Sequence, residues 1–338
     1  MSQRKATDEQ LIEALQHKTV PEVAALFGMH PRRVYEHKSR LKREMQAPIV
    51  QLPPAADLTY SELVQDRIRR YQRKMQHEEG RKLISVRVPI GGPYALVFMG
   101  DPHVDDDGTD WMTLQRDIQI INDTEGMYAC NVGDTTNNWV GRLARLYGEQ
   151  STSAKEAWIL AEGFIKELKH KWLFLIGGNH DAWSGAGDPL DWITGSVNAL
   201  YQSSECRLSV NSGKHSIVIN ARHDFAGHSM WNPAHGVMKA VQMGTWDHIS
   251  VCGHKHVTGY MPLKSPSGRI CHAMQVSSYK IFDRYAREKG FRDQNISPAM
   301  VAVVNPAYSD NDPRMITILH DVAEASEFLR WKRERDAA

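Results

Sequence analysis

The sequence predicts a layered α/β domain preceded by a small all-α module. Three observations carry this. From about Lys82 onward, short apolar runs alternate with segments of helical period, the pattern of strands and helices stacked in layers. Residues 7–45 instead hold three short helical patterns. Between the two lies QAPIVQLPPAAD (46–57), whose three prolines mark a linker. The expected division is 1–46, 47–80 (linker and helix) and 81–338.

In the first module, Thr7 or Asp8 caps a helix with apolar Leu11, Ile12 and Leu15. Thr19 caps a second, with Pro21 in its first turn and Val20, Ala24 and Phe27 on one face. Gly28 supplies a turn. A third helix runs from about Pro31 to Glu44, with Val34, Leu41 and Met45 as its apolar positions. It also carries Arg32, Arg33, Lys38 and Arg40. A short helix, a glycine turn and a basic helix form the pattern of a helix-turn-helix, whose cations meet phosphates and base edges. Residues 1–45 hold nine Lys/Arg against six Asp/Glu, whereas the whole chain nets only +1. Nucleic acid, DNA above all, is the partner this module implies.

A helix is expected over Leu58–Glu79. Tyr60, Val64, Ile68, Tyr71 and Met75 make one apolar stripe, expected to pack on the main domain or on a second copy in a homo-oligomer. The apolar runs that follow are Tyr94–Met99, Met127–Val132, Trp172–Ile176, Ser216–Ala221 and His248–Cys252. Helical stripes between them include Trp111, Leu114, Ile118 and Ile121, then Ala157, Leu160, Phe164 and Leu168. A strand at Met315–His320 and a charged helix at Val322–Arg335 close the pattern.

Composition excludes several classes. With 41% hydrophobic and 24% charged residues, the chain reads as neither disordered nor fibrous. No apolar run reaches the ~18–20 residues of a membrane span, and Met-Ser-Gln-Arg-Lys does not read as a signal peptide. A cytoplasmic setting, bacterial or in a phage-infected cell, is expected. The cysteines Cys130, Cys206, Cys252 and Cys271 are far apart and show no CxxC spacing, so neither a disulfide scaffold nor a thiolate zinc site organises the chain.

Each of the five runs ends in metal-binding residue types: Asp101-Pro102-His103, Gly133-Asp134, Gly178-Asn179-His180-Asp181, His223-Asp224 and Gly253-His254-Lys255-His256. Ligand sites in open α/β sheets lie outside the carboxyl ends of strands. Asp101, His103, Asp134, Asn179, His223, His254 and His256 would therefore meet at one edge. Oxygen and imidazole donors without thiolate suit Mn²⁺, Fe²⁺ or Zn²⁺, and seven donors are too many for one ion. Two divalent ions about 3.5–4 Å apart would use them; Mn²⁺ is favoured. A water shared by two such cations is expected to lose its proton near neutral pH. Glycines such as Gly178 and Gly253 precede donors, where backbones crowd.

The ordered set DPH, GDTTNN, GNHD, a lone His and GHKH resembles the calcineurin-like metallophosphoesterases over about residues 94–258. The resemblance implies a four-layer α-β-β-α sandwich, two sheets face to face with helices outside. It implies Asp101, His103 and His256 on one ion, Asn179, His223 and His254 on the other, and Asp134 shared. His180 matches the family's catalytic histidine at the leaving-group oxygen, and Asp181 would orient it. GNHD in place of GNHE, with no Asp-Arg-Gly after Asp134, points away from the protein-phosphatase branch. The stretches GDTTNNWVGRLARLYG and RHDFAGHSMWNPAHG look like phage-type members. The activity implied is a phosphodiesterase or nuclease; a small-molecule phosphoesterase is the second reading, and a DNA-binding regulator with a relic site the third.

Around this site Asn138 and Arg142 are expected to touch substrate phosphates, with Arg145 beside them. Trp183 and Trp231 follow donor motifs. Packing beneath the loops is the expectation for both, with base stacking as the alternative.

Overall fold

The computed structural model describes residues 6–46, 57–138, 151–182, 187–212, 215–282 and 295–337. The chain divides into two compact units, Met1–Gln72 and Arg73–Ala338.

In the first unit, α1 (Asp8–His17), α2 (Val20–Leu26) and α3 (Pro31–Met45) enclose Leu11, Val23, Ala24, Val34 and Leu41. Thr7 caps α1: its hydroxyl accepts the Gln10 N–H at 3.3 Å while the Gln10 amide oxygen accepts the Thr7 N–H at 3.0 Å. Thr19 and Glu22 repeat the device at α2. Gly28 takes φ +60°, the left-handed region glycine enters without penalty. Of the apolar positions on α3, Met45 is 74% exposed at its last turn, and Val23 of α2 joins the interior. Helix α4 (Tyr60–Arg81) is capped by Thr59, whose N–H donates to Glu62 at 2.8 Å. None of its residues is buried; Tyr60 is 84% and Tyr71 65% exposed.

The second unit holds two six-stranded sheets. Its strands in chain order are β1 (Ile84–Arg87), β2 (Tyr94–Met99), β3 (Met127–Asn131), β4 (Trp172–Ile176), β5 (Tyr201–Gln202), β6 (Glu205–Ser212), β7 (His215–Arg222), β8 (Ile249–Cys252), β9 (Gly259–Lys264), β10 (Ile270–Gln275), β11 (Ala299–Val304) and β12 (Ile316–Leu319). One sheet runs β12-β11-β2-β3-β4-β5, the other β1-β6-β7-β8-β10-β9. Strands β2 to β5 are mutually parallel, as are β7, β8 and β10.

Why β2 reads as an unbroken apolar run, YALVFM, follows from its place. Leu96 and Phe98 face the other sheet, meeting Leu208, Ile219 and Val251. Val97 and Met99 face outward, under Leu114 and Ile118 of α5 (Trp111–Asp123), Phe164 of α6 (Ala154–Glu167) and Leu329 of α9 (Val322–Ala337). Helix α7 (Pro189–Ser196) joins this layer through Leu190 and Ile193. A strand covered on both faces has no polar side to alternate with. On the opposite outer face, Val237 and Val241 of α8 (His235–Met243) cover Cys271 and Ala273. The order is helix, sheet, sheet, helix, a four-layer α-β-β-α sandwich. All four cysteines are buried and free.

Phe98 lies fully buried between the sheets, 6.4 Å from the Phe174 ring centre to centre. Phe98→Ala should therefore destabilise this unit by about 3–5 kcal/mol, read as a lower denaturant midpoint with unchanged slope.

Candidate metal centre

Because β2, β3 and β4 are parallel, their carboxyl ends share one edge, and the turns leaving them carry Asp101 with His103, Asp134, and Asn179 with His180. The other sheet contributes His223 after β7 and His254 with His256 after β8. These turns are tight. Asp101 (φ 26°), His103 (41°), Asp134 (47°), His254 (71°) and His256 (51°) are all left-handed, joined by Asn198 and Trp246 as the other non-glycine residues so placed among those described. Each costs on the order of 1 kcal/mol or more and persists only where the surroundings over-determine it. Here they do. His103 N–H donates to the Asp134 carbonyl at 3.0 Å, His254 N–H to Asp101 Oδ2 at 2.6 Å, and Gly253 N–H to the His223 carbonyl at 3.1 Å. A Cβ on Gly178 would lie 2.0 Å from Asp134 Oδ1, and one on Gly253 2.3 Å from Asp101 Oδ1. Only glycine admits the carboxylates this far.

The donors gather into two groups, Asp101 with His103 and His256, and Asp134 with His223 and His254; within each, the donor atoms lie within 4.8 Å of one another. In the first, the Nε2 atoms of His103 and His256 are 3.2 Å apart, and His256 Nε2 is 3.3 Å from Asp101 Oδ2. In the second, His223 Nε2 is 3.1 Å from His254 Nδ1, 3.1 Å from Asp134 Oδ2 and 3.0 Å from Asn179 Oδ1. Asp101 Oδ1 lies 3.9 Å from His223 Nδ1 and so adjoins both groups. Paired ring nitrogens aimed at each other repel unless a proton or cation sits among them. Asp101 Oδ1 and His103 Nδ1 are buried with no hydrogen-bond partner among the described residues, a costly state for a carboxylate. Orphaned donors, glycine cradles and hard oxygen and imidazole chemistry all fit divalent cations.

Electrostatics agree. Burial raises the Asp134 carboxyl, but the His223 charge and hydrogen bond, with His180 and His103 beyond, overcome that and hold it far below the carboxylate range. Burial pulls His223 down, yet Asp134 outweighs it and pushes the imidazole up to about 10. His254 is lowered by burial and by His223, and His103 well below its ordinary value by burial and by Lys280.

His180 is 9% exposed, and its Nδ1 lies 2.5 Å from the Asn137 carbonyl oxygen. A carbonyl only accepts, so Nδ1 carries the proton. Asp181 does not orient His180 as expected. Its carboxylate accepts from the N–H groups of Gly178 at 2.8 Å, Thr136 at 3.0 Å and Thr135 at 3.3 Å. It therefore staples the β4 turn to the β3 turn, and burial beside Asp134 pushes it up to about 7. Asn137 is the orienter that sequence reasoning passed over for its neighbour. The signal was present in Asn-Asn after Gly-Asp-Thr-Thr, but main-chain use of one asparagine leaves no side-chain pattern. Asn138 instead donates to the Ala182 carbonyl at 3.0 Å.

Arg142, Arg145 and Trp183 lie outside the described residues. Trp231, expected to pack, is 91% exposed, because the turn at Ser229, whose hydroxyl accepts both the Trp231 and Asn232 N–H groups, lifts it off the surface. In the N-terminal unit Arg32 pairs with Glu36 at 3.3 Å, and Arg40 pairs with Asp8 at 2.6 Å and Glu44 at 3.2 Å. Arg33 and Lys38 are exposed and make no ion pair among the described residues.

The chain matches no protein-family model and no curated protein. Solved structures similar to it include Vps29 from Cryptosporidium parvum, 10% identical over 68% of this chain and 96% of that one, with a TM-score of 0.36. A nuclease MPE from Pseudomonas putida is 15% identical over 66% and 87%, at 0.31. The calcineurin-like phosphoesterase YfkN from Bacillus subtilis is 10% identical over 73% and 98%, at 0.35.

Metals bind neutral imidazole, and His223 is the donor held protonated. Mn²⁺ binding at pH 8 should thus release about one proton per chain, measured by calorimetry in buffers of differing ionisation heat; no release would refute the assignment of His223. The same pair gives the metal-free fold a stabilisation that is full below the ordinary histidine range and fades as pH rises towards about 10.

Proposed function

We propose that this chain is a metal-dependent phosphoesterase of the calcineurin-like type, acting on phosphodiesters, with nucleic acid and DNA in particular as substrate. The observation that supports it most is the pair of donor groups sharing one strained strand edge with His180 beside them. Asp101, His103 and His256 would hold one divalent ion, and Asn179, His223 and His254 the other, with Asp134 between. Mn²⁺ is the favoured occupant. Such ions supply positive charge to phosphoryl oxygens and acidify water.

The chain's own residues do the rest. His180, its Nδ1 proton committed to the Asn137 carbonyl, presents Nε2 to the leaving-group oxygen and, when protonated there, donates to it. His103, 5.2 Å from the His180 ring and edge-on to it, limits how that ring turns. Asp181 holds the backbone that carries both His180 and Asp134. On the N-terminal unit, Arg33 and Lys38 have charge to spare for phosphates, whereas Arg40 is tied to α1. Tethering would raise the substrate concentration near the site.

Asp134→Asn should lower Mn²⁺-dependent hydrolysis of bis(p-nitrophenyl) phosphate by at least about 100-fold. His180→Ala should keep its metal, measured by mass spectrometry, and lose about 100- to 10,000-fold in kcat. Loss of metal in that variant would make His180 a ligand and overturn its assigned role.

For the substrate, Arg33→Glu with Lys38→Glu should weaken DNA binding at low salt and lower the slope of log affinity against log salt by about 2. Unchanged binding, together with cleavage of cyclic nucleotides but not of single-stranded DNA, duplex DNA or RNA, would favour the small-molecule reading.

A further inference from the structure

Lys280 is a lysine where lysines are rarely found. It is 5% exposed, just beyond β10, near donors that await cations. An ammonium there works against cation binding unless it is neutralised and useful. It is neutralised: Lys280 Nζ lies 3.0 Å from Asp106 Oδ2. Its use is visible in what the pair holds. Asp106 Oδ2 accepts the Asn137 side-chain amide at 2.5 Å, and Lys280 Nζ lies 3.5 Å from Asn137 Oδ1. The Asn137 N–H donates to Asp105 Oδ1 at 2.6 Å. Asn137 is thus gripped at its main-chain N–H and at both ends of its amide, by residues from two other loops.

The grip is itself anchored. Lys280 N–H donates to Ser278 Oγ at 2.9 Å, Ser278 Oγ donates to the Asp101 carbonyl at 2.7 Å, and Lys280 bridges to Thr109. What remains on Asn137 is its carbonyl oxygen, and that is the acceptor of His180 Nδ1.

We propose that Lys280 and Asp106 are positioning residues for His180: they lock Asn137 so that its carbonyl fixes the imidazole with the proton on Nδ1 and Nε2 turned to the leaving group. The inference rests on the phosphoesterase reading for its kinetic consequence, but its structural part stands apart from it. A structural lysine would slow every substrate alike. A lysine acting through His180 matters most where departure of the leaving group needs help.

The test uses full-length protein with Lys280→Met and, should that variant fold poorly, Asp106→Asn. Substrates are methyl p-nitrophenyl phosphate, a good leaving group, and methyl phenyl phosphate, a poor one. Lys280→Met should lose about 10- to 100-fold in kcat on the phenyl ester and less than about 3-fold on the p-nitrophenyl ester, with KM and metal content unchanged. In a His180→Ala background it should cost nothing further. ¹⁵N NMR of metal-free protein should show His180 protonated at Nδ1 in the wild type and a mixture of tautomers in the variant. Equal losses on both esters, additivity with His180→Ala, or an unchanged tautomer would each overturn the proposal. A wild type inert on both esters would instead overturn the phosphoesterase reading, and the NMR would still decide the clamp.

Discussion

Everything at the candidate centre depends on forcing groups together that would rather be apart. Carboxylates and imidazoles occupy two clusters, each with its donor atoms within 4.8 Å of one another, and all but the exposed His254 and half-buried His256 are buried away from the water that would otherwise screen them. The turns that present them are left-handed at Asp101, His103, Asp134, His254 and His256. Neither the crowding nor the strain stabilises the fold. Both are sustained by layers that do: a dry interior between sheets, and helices over the outer faces, each burying large side chains such as Phe98, Phe174 and Phe164. Parallel strands matter because they bring several chain reversals to one edge. Antiparallel neighbours would have sent half of those turns to the far side.

The second layer of control is polar and lies just behind the donors. Asp181 ties two turns together through backbone N–H groups, and Gln275 donates its side-chain amide to the Gly253 carbonyl. Asp101 accepts the His254 N–H while offering its other oxygen to the site. Asp101, Asp134 and Asp181 are therefore divided between facing the centre and stapling the backbone beneath it. Their divided charge states follow from the same geometry: Asp134 is held low by its histidine neighbours, and Asp181, pushed up by burial and by Asp134, is only partly offset by backbone N–H groups and His223.

Much of this was legible in the residues. The five apolar runs became β2, β3, β4, β7 and β8; all but β7 are largely covered on both faces and so read as continuous apolar residues. The donor motifs stood out because each followed such a run. The misses have physical causes. Strand β6 (ECRLSVNS) has one wet face and reads as alternation too weak to notice, and β10 carries a histidine and a glutamine inside its run. Asp181 looked like a catalytic partner from adjacency in sequence, but a side chain next along a tight turn points away from its neighbour. Asn137 acts through a main-chain oxygen, which no residue type encodes. Lys280 lies more than a hundred residues from Asn137 along the chain, and only the β8–β10 pairing brings its loop to the β3 turn. The stripe on α4 is legible as a helix only: periodicity specifies an apolar face without specifying what covers it.

The two donor groups are not equivalent, and the difference is instructive. In one, His103 Nε2 and His256 Nε2 face each other at 3.2 Å beside Asp101 Oδ2, so a cation arriving there relieves the repulsion of facing ring nitrogens. In the other, His223 and Asp134 already neutralise each other at 3.1 Å, so a cation must displace a proton and break an ion pair. The first group is therefore held ready by that repulsion, the second held closed by its own salt bridge. It follows that acid pH acts on the two unequally: the His223 side must give up a proton held by Asp134, while burial and Lys280 hold the His103 imidazole towards its neutral form.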